Sequence, residues 1–283
     1  PGKSYTALIW RPLNRHLQRW WPPEGRCGPN PSPLPLGLLG GEFKVCSWNC
    51  RGLFIDDPRK RALSLNFLRQ VAGGVHILAL QETHGLPGEV LAEIRSLLPG
   101  WLVLHSACLN RDSLNTSAAG GVAILISPCI AANSTCEHNV LIPGRAQVAS
   151  FVFRQSNKAL DIVNIHNAGL YRADVAKVGR EITRLKIRDF AGPANSLSFF
   201  LGDFNFPPGD EAPVVLGIPP VGLQSERPNF VSYYSHKAHW EGFLVNVLEF
   251  SQPNPTHFDK KSFSLAKLDR IFGTVVGSFA TKF

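Results

Sequence analysis

Polar side chains follow several apolar segments of the sequence at the point where each segment ends. The segments are "VCSWN", "HILALQE", "DIVNIH" and "SFFLGDFN", and they close with Asn49, Glu82, His166, Asp203 and Asn205. Because the strand ends of α/β folds meet in a shared crevice, we expect these side chains to lie together. Carboxylates and amides without thiols suit a hard cation bound through oxygen, magnesium above all, with manganese as the alternative. Such a site can orient a water molecule for attack on phosphorus.

Each of these residues also has a purely structural interpretation. Asn49 is of a type common in turns, and Asp203 could close an Asx-turn. Glu82 could cap the helix that follows it, and His166 could be an ordinary buried histidine. The number and order of the polar strand ends favour the functional interpretation, and Asp269 inside the apolar run "KLDRIF" is a sixth candidate. If one cation is shared, the carboxylates of Glu82 and Asp203 should lie roughly 4–8 Å apart, since metal–oxygen bonds are about 2.1 Å long.

The elements that must position these residues follow from the hydrophobic pattern, which predicts alternating strands and helices of a layered α/β domain. Strands are predicted over residues 43–48, 75–80, 101–105, 121–126, 147–153, 160–165 and 198–201, and helices over 59–72, 86–98 and 173–190. The last helix carries a basic stripe of Lys177, Arg180, Arg184 and Arg188. We interpret this stripe as a solvated outer face rather than a DNA contact.

Residues 1–40 differ from the rest of the chain in their proline content. The prolines of this segment after the first residue are Pro12, Pro22, Pro23, Pro29, Pro31, Pro33 and Pro35. Proline removes a backbone donor and fixes φ, so we predict a disordered tail or linker with few contacts to the core. Residues 41–283 then form one domain. The start at Pro1 and the absence of methionine favour a fragment of a longer polypeptide.

Composition bounds the partners and the compartment. The 283 residues carry a formal net charge of +8, and the pI of about 9.4 favours a polyanionic partner. No segment approaches the roughly 18 uninterrupted apolar residues of a membrane helix, so we expect no membrane partner. The six cysteines form no CxxC pair, which argues against zinc. They are also too sparse for a disulfide scaffold, which favours the nucleus or the cytoplasm.

Taken together, five segments resemble the ordered motifs of the endonuclease/exonuclease/phosphatase superfamily: "SWNCRGL", "LALQETH", "IVNIHN", "FFLGDFN" and "KLDRIF". The wording "WNCRGL" and "QETH" is particularly similar to the apurinic/apyrimidinic-type endonuclease domains of non-LTR retrotransposons. The resemblance spans about residues 43–275. It implies a four-layer α/β sandwich of two face-to-face β-sheets flanked by helices. It also implies a Mg²⁺-dependent endonuclease that nicks DNA and leaves a 3′-hydroxyl to prime reverse transcription, with a reverse transcriptase domain in the parent polypeptide.

The resemblance assigns roles to individual residues. Glu82 would be the principal Mg²⁺ ligand, with Asn49 beside it in the metal-centred hydrogen-bond network. Asp203 would orient or deprotonate the attacking water, and Asn205 would support the phosphate or that aspartate. His166 stands where relatives have tyrosine or histidine, either of which can donate a hydrogen bond to a phosphate oxygen.

The C-terminal part of the sequence departs from the family pattern. Asp269 matches the aspartate that hydrogen-bonds a catalytic histidine, but no Ser-Asp-His motif follows it, and Ala266 stands where many relatives have serine. We therefore expect a domain truncated at its C-terminus, without one core strand. Such a chain should hold a metal but cut poorly.

Two other interpretations stay open at the level of sequence. The same fold could act on another phosphoester such as RNA, an inositol phosphate or sphingomyelin, and His166 in "NIHN" leans slightly that way. Alternatively, the chain could be an inactive remnant that binds nucleic acid, an interpretation that the missing final motif favours.

Overall fold

Two mixed β-sheets pack face to face at the centre of the protein, and helices cover their outer faces. The computed structural model describes residues 43–54, 57–107, 120–191, 196–206, 236–250 and 269–274, and the backbone alone at 5–9, 214–215, 257–259 and 264–266. The expected four-layer α/β sandwich is confirmed.

The first sheet has five strands. They are β1 (Tyr5–Ile9), β2 (Phe43–Asn49), β3 (Ile77–Gln81), β4 (Leu102–Ser106) and β5 (Val122–Ile126), in the spatial order β1-β2-β3-β5-β4. Strands β1, β2 and β3 run parallel, and β5 is antiparallel to both of its neighbours. Helices α1 (Pro58–Ala72) and α2 (Pro87–Leu97) pack on the outer face through an apolar layer.

The second sheet has six strands. They are β6 (Ser134–Ile142), β7 (Ala146–Phe153), β8 (Ala159–His166), β9 (Ser196–Asp203), β11 (Leu248–Glu249) and β14 (Asp269–Gly273), in the order β11-β14-β9-β8-β7-β6. Helix α3 (Pro128–Asn133) leads into β6. Helix α4 (Arg172–Ala191) connects the parallel strands β8 and β9, and it covers the outer face together with α5 (Lys237–Leu244).

A small third sheet of short strands accompanies these two. It contains β10 (Val214–Val215), β12 (His257–Asp259) and β13 (Ser264–Ala266), in the order β10-β13-β12.

The core lies between the two large sheets. Its fully buried members include Ile77 and Ile124 from the first sheet and Phe151, Ile162 and Phe199 from the second. Each such side chain stabilises the fold by about 1.5–3 kcal/mol relative to an exposed position. Central strands that are buried on both faces consist of nearly continuous apolar residues. Strands β3 and β5 have this pattern, and the sequence predicts both of them.

The helix predictions are confirmed to within one residue at each end. Strand β6 and helix α3 were not predicted. Most side chains of β6 are exposed or half-buried, because the strand lies at the sheet edge and carries few apolar residues. Among the described helices, none is both long and apolar enough to span a membrane.

The expectation of a tail over residues 1–40 is wrong at Tyr5–Ile9, which pairs in parallel with β2 from Tyr5↔Phe43 to Ile9↔Ser47. The prolines that motivated the expectation begin at Pro12, so this segment keeps all its backbone donors. Residues 10–42 lie outside the described residues. So do residues 275–283.

The basic stripe of α4 is only partly a solvated face. Arg184 is 58% exposed and pairs with Glu181. Arg188 instead turns inward and contacts Asp161 at 2.6 Å and Asp189 at 2.5 Å, whose side chains are 1% and 0% exposed. This cluster fixes α4 to the sheet at the strand ends opposite the predicted site.

Candidate active site

The predicted site residues meet where the carboxyl ends of four strands converge. Asn49 ends β2, and Glu82 follows the last residue of β3. His166 and Asp203 end β8 and β9 and are register partners. Potential ligand atoms of Glu82, His166 and Asp203 all lie within 4.8 Å of one another. The carboxylates of Glu82 and Asp203 therefore have the separation expected for a shared cation.

Asn49 joins the two carboxylates. Its amide nitrogen donates to Glu82 Oε1 at 2.8 Å and to Asp203 Oδ2 at 2.7 Å. Its amide oxygen accepts from the backbone of Arg51 at 3.0 Å. In this orientation Asn49 holds the two carboxylates together and turns its own oxygen away from them. Asn49 thus lies in the hydrogen-bond network around the two carboxylates, where the sequence analysis places it beside Glu82.

Asn205 lies beside Asp203 in a left-handed backbone conformation. Its φ is 56°, and its backbone N–H donates to Asp203 Oδ1 at 2.9 Å. Within the described part of the chain its buried amide nitrogen has no hydrogen-bond partner, and neither has the buried amide oxygen of Asn167. Buried polar groups are normally paired, so an unpaired donor at the site is suited to an acceptor on a ligand, such as a phosphate oxygen.

The segment that carries Glu82 has an unusual backbone. Glu82 and His84 both have left-handed φ values, 53° and 56°. The intervening Thr83 donates its backbone N–H to Gly121 O, and a Cβ at Gly121 would lie 2.4 Å from Thr83 Oγ1. Thr83 Oγ1 also contacts His105 Nε2 at 3.1 Å. Strained backbone of this kind persists only where its surroundings hold it, and it is concentrated at functional sites.

Burial lowers the pKa of two histidines close to the segment that carries Glu82. His84 Nε2 lies 4.0 Å from Glu82 Oε2, and burial lowers the pKa of His84 although the Glu82 charge opposes the shift. Burial lowers the pKa of His105 to about 4.

Gly202 allows β8 and β9 to approach closely beside Asp203. Its φ is +142°, and a Cβ there would lie 1.8 Å from the carbonyl oxygen of Ile165. Only glycine fits this position without moving the backbone. The glycine of "LGDFN" is thus a structural requirement of the site.

Beneath the site, buried polar side chains link the two sheets. Asn164 on β8 donates to the carbonyl oxygens of Leu80 and Ala123, each at 2.9 Å. It also accepts from Gln81 Nε2 at 2.7 Å, and Gln81 in turn contacts Ser47. Because Gln81 directly precedes Glu82, this link fixes the position of Glu82, on the first sheet, relative to the second sheet. The polar positions within the apolar strands are the signal in the sequence that could have predicted this link.

Asp269, the sixth predicted residue, is the first residue of β14. Asp269 is fully buried and lies opposite Asp203 in the β14–β9 ladder. Burial and, as the smaller cause, the charge of Asp269 raise the pKa of the Cys46 thiol on β2. Arg145, which sequence reasoning missed, places Nη1 2.8 Å from His166 Nδ1. Nothing in the motif "PGRAQ" signals this contact.

The donor set at the site fits a hard divalent cation. Two carboxylates reach the site from opposite sheets, Glu82 is partly accessible to solvent, and no thiol joins the cluster among the described residues. Oxygen-rich sites of this kind suit Mg²⁺ or Mn²⁺.

A solved structure shares the fold, and two others align with lower TM-scores. An AP endonuclease from Leishmania major superposes with a TM-score of 0.60 at 14% identity, over 82% of this chain and 78% of that one. A mannosyl-6-phosphatase from Bacteroides thetaiotaomicron gives a TM-score of 0.47 at 15% identity, over 81% and 84%. TDP2 from D. rerio, solved with a single-strand DNA product, gives 0.47 at 14% identity, over 81% and 82%.

Among curated protein sequences, none matches this chain. The family model described as "Endonuclease/Exonuclease/phosphatase family" matches residues 46–279, which is most of the chain. The matched range contains all six predicted site residues and both large sheets apart from β1 and the start of β2. The chain belongs to the endonuclease/exonuclease/phosphatase family.

Proposed function

We propose that this protein is a Mg²⁺-dependent endonuclease that nicks one strand of DNA. The observation that carries the proposal is the pair of carboxylates, Glu82 and Asp203, which Asn49 joins across the two sheets through hydrogen bonds of 2.8 and 2.7 Å. Mn²⁺ should substitute for Mg²⁺, because both ions accept carboxylate oxygens.

The surrounding side chains then have distinct tasks in hydrolysis. Glu82 would be the principal ligand of the cation, and Asp203, within reach of the same cation, would also orient the attacking water and accept its proton. The unpaired amide nitrogen of Asn205 and the Nε2 of His166 would donate to phosphate oxygens, on which charge develops. A bound divalent cation would add charge neutralisation at the phosphate and make a bound water more acidic.

We propose DNA as the substrate on two grounds, the positive net charge of the chain and the resemblance of two of its motifs to those of DNA endonucleases. The net charge of +8 favours a polyanion. The "WNCRGL" and "QETH" segments resemble those of retrotransposon endonucleases. On this basis we propose that the nick leaves a 3′-hydroxyl for reverse transcription, that a reverse transcriptase domain belongs to the parent polypeptide, and that the protein acts in the nucleus.

A second candidate keeps the chemistry and changes the substrate to RNA, an inositol phosphate or sphingomyelin. His166 favours it, because apurinic-site enzymes resembling this chain have tyrosine at that place. An inactive nucleic-acid-binding remnant is the third candidate.

One assay separates the three. Supercoiled plasmid is incubated with the protein and Mg²⁺, and nicked product is then extended by a DNA polymerase that requires a 3′-hydroxyl. We expect Mg²⁺-dependent nicks that extend, and at least a 100-fold lower rate for Glu82→Gln, on the order of one essential group's contribution. Glu137→Gln, on the exposed edge strand β6, is the matched control with unchanged rate. Hydrolysis of a small phosphoester without nicking supports the second candidate, and DNA binding without any hydrolysis supports the third.

A further inference from the structure

Arg145 contacts His166 through both its backbone and its side chain. It lies in the turn between β6 and β7, and its carbonyl oxygen accepts the backbone N–H of His166 at 2.7 Å. Its Nη1 lies 2.8 Å from Nδ1 of the same histidine. The neighbouring register pair Ala146↔Ile165 fixes the two residues beside each other. We propose that Arg145 is a positioning residue that fixes the His166 ring in the form with its proton on Nε2.

The chemistry of the guanidinium group fixes the direction of this hydrogen bond. Arginine carries five N–H donors and no acceptor, so Nδ1 of His166 must accept the hydrogen bond. A neutral imidazole that accepts at Nδ1 carries its proton at Nε2. That nitrogen lies 3.4 Å from Glu82 Oε1, at the centre of the site.

The ring proton decides what His166 can do there. With the proton on Nε2, the nitrogen that faces Glu82 and Asp203 is a donor and offers no lone pair to a cation. The cation would then be held by carboxylates alone, and His166 would donate to an oxygen of the bound phosphate. This second step rests on the proposed function, whereas the position of the ring proton does not.

The contact is not a by-product of an ion pair. Within the described residues, no carboxylate lies within salt-bridge distance of Arg145. Its Nη2 lies beside Gly169, in the loop that follows His166. A Cβ on that glycine would be 4.0 Å from it. The side chain is half-buried between that loop and the ring, so its guanidinium is held where it meets Nδ1.

The position of the ring proton is measurable by NMR on protein with ¹⁵N-labelled histidine. Long-range ¹H–¹⁵N correlations distinguish the two neutral forms, and His166→Gln identifies the signal among the nine histidines. We expect the Nε2–H form in the wild type and in Arg145→Lys, which keeps a donor. Arg145→Met should give a mixture with the Nδ1–H form. Arg154→Met, at the exposed turn beyond the far end of β7, is the control and should match the wild type.

Nicking kinetics add a second measurement. Outer partners of site residues typically contribute about 10–100-fold, so kcat should fall by that range in Arg145→Met and recover partly in Arg145→Lys. A wild-type ring with its proton on Nδ1 overturns the proposal without any variant, as does an unchanged signal in Arg145→Met. A rise in KM alone with an unchanged ring form means that Arg145 binds substrate directly, and it also overturns the proposal. The predicted NMR signals without any nicking uphold the role of Arg145 and reject the proposed function.

Discussion

Replacing Asn164 by leucine removes the polar link between the two sheets at nearly constant side-chain volume. Asn164 makes two hydrogen bonds of 2.9 Å to backbone carbonyls of the first sheet and accepts one of 2.7 Å from Gln81. The site is fully buried, so water cannot replace the lost partners. At about 1–3 kcal/mol for each of the three buried partners left unpaired, the free energy of unfolding should fall by at least about 3 kcal/mol.

Urea unfolding followed by circular dichroism measures this change. Asn139→Leu, at an exposed position of β6 in the same sheet, is the matched control and should stay within about 0.5 kcal/mol of the wild type. The nicking rate of folded Asn164→Leu should also fall, because the link positions Glu82 against Asp203. A loss below about 1 kcal/mol, or a loss equal to that of the control, would refute the cross-sheet role.

Three further predictions concern the stability of the fold. Gly202→Ala should lower the free energy of unfolding by more than about 3 kcal/mol, since its Cβ would lie 1.8 Å from Ile165 O. A thermal melt like that of the wild type would contradict this. Burial lowers the pKa of His105 to about 4, below the unfolded value of about 6.5, so protonation favours the unfolded chain. Stability should therefore fall by roughly 2 kcal/mol between pH 6.5 and 4, and an equal slope in His105→Gln counts against this reasoning. Arg188→Met leaves two buried aspartates without their arginine partner and should lower the free energy of unfolding by about 3 kcal/mol. Exposed Arg184→Met should lower it by less than about 1 kcal/mol, and equal losses in chemical unfolding would refute the inward role of Arg188.

The convergence of Glu82 and Asp203 was predictable because each lies at the end of a buried, mainly apolar strand. A strand buried on both faces can only lie inside a covered sheet, and its polar terminus then marks the crevice. The order of the motifs supplied the rest of the fold, and the family model and the sheet topology agree with it.

The side-chain contacts inside the site were not predictable. Arg145 lies 21 residues before His166 in a turn, and only the β7–β8 register brings the two together. The direction of the Asn49 amide depends on two carboxylates 33 and 154 residues away. Hydrophobic periodicity carries no information on such pairs.

The first strand shows a second limit of the sequence pattern. Tyr5–Ile9 pairs with β2 across a separation of more than 30 residues, most of them in the proline-rich segment. Proline density argues against regular structure where the prolines are, in a stretch that lies outside the described residues. It says nothing about the five residues before them, whose backbone donors are intact.

Electron paramagnetic resonance of Mn²⁺ binding tests the central claim most directly, namely that Glu82 and Asp203 together hold a divalent cation. Titration of the wild type and the Glu137→Gln control should reveal one site with the same Kd. Glu82→Gln and Asp203→Asn should each raise that Kd by at least about tenfold, because each removes one of the two carboxylates within 4.8 Å. Unchanged Mn²⁺ binding in both variants, or no binding by the folded wild type, would contradict the account.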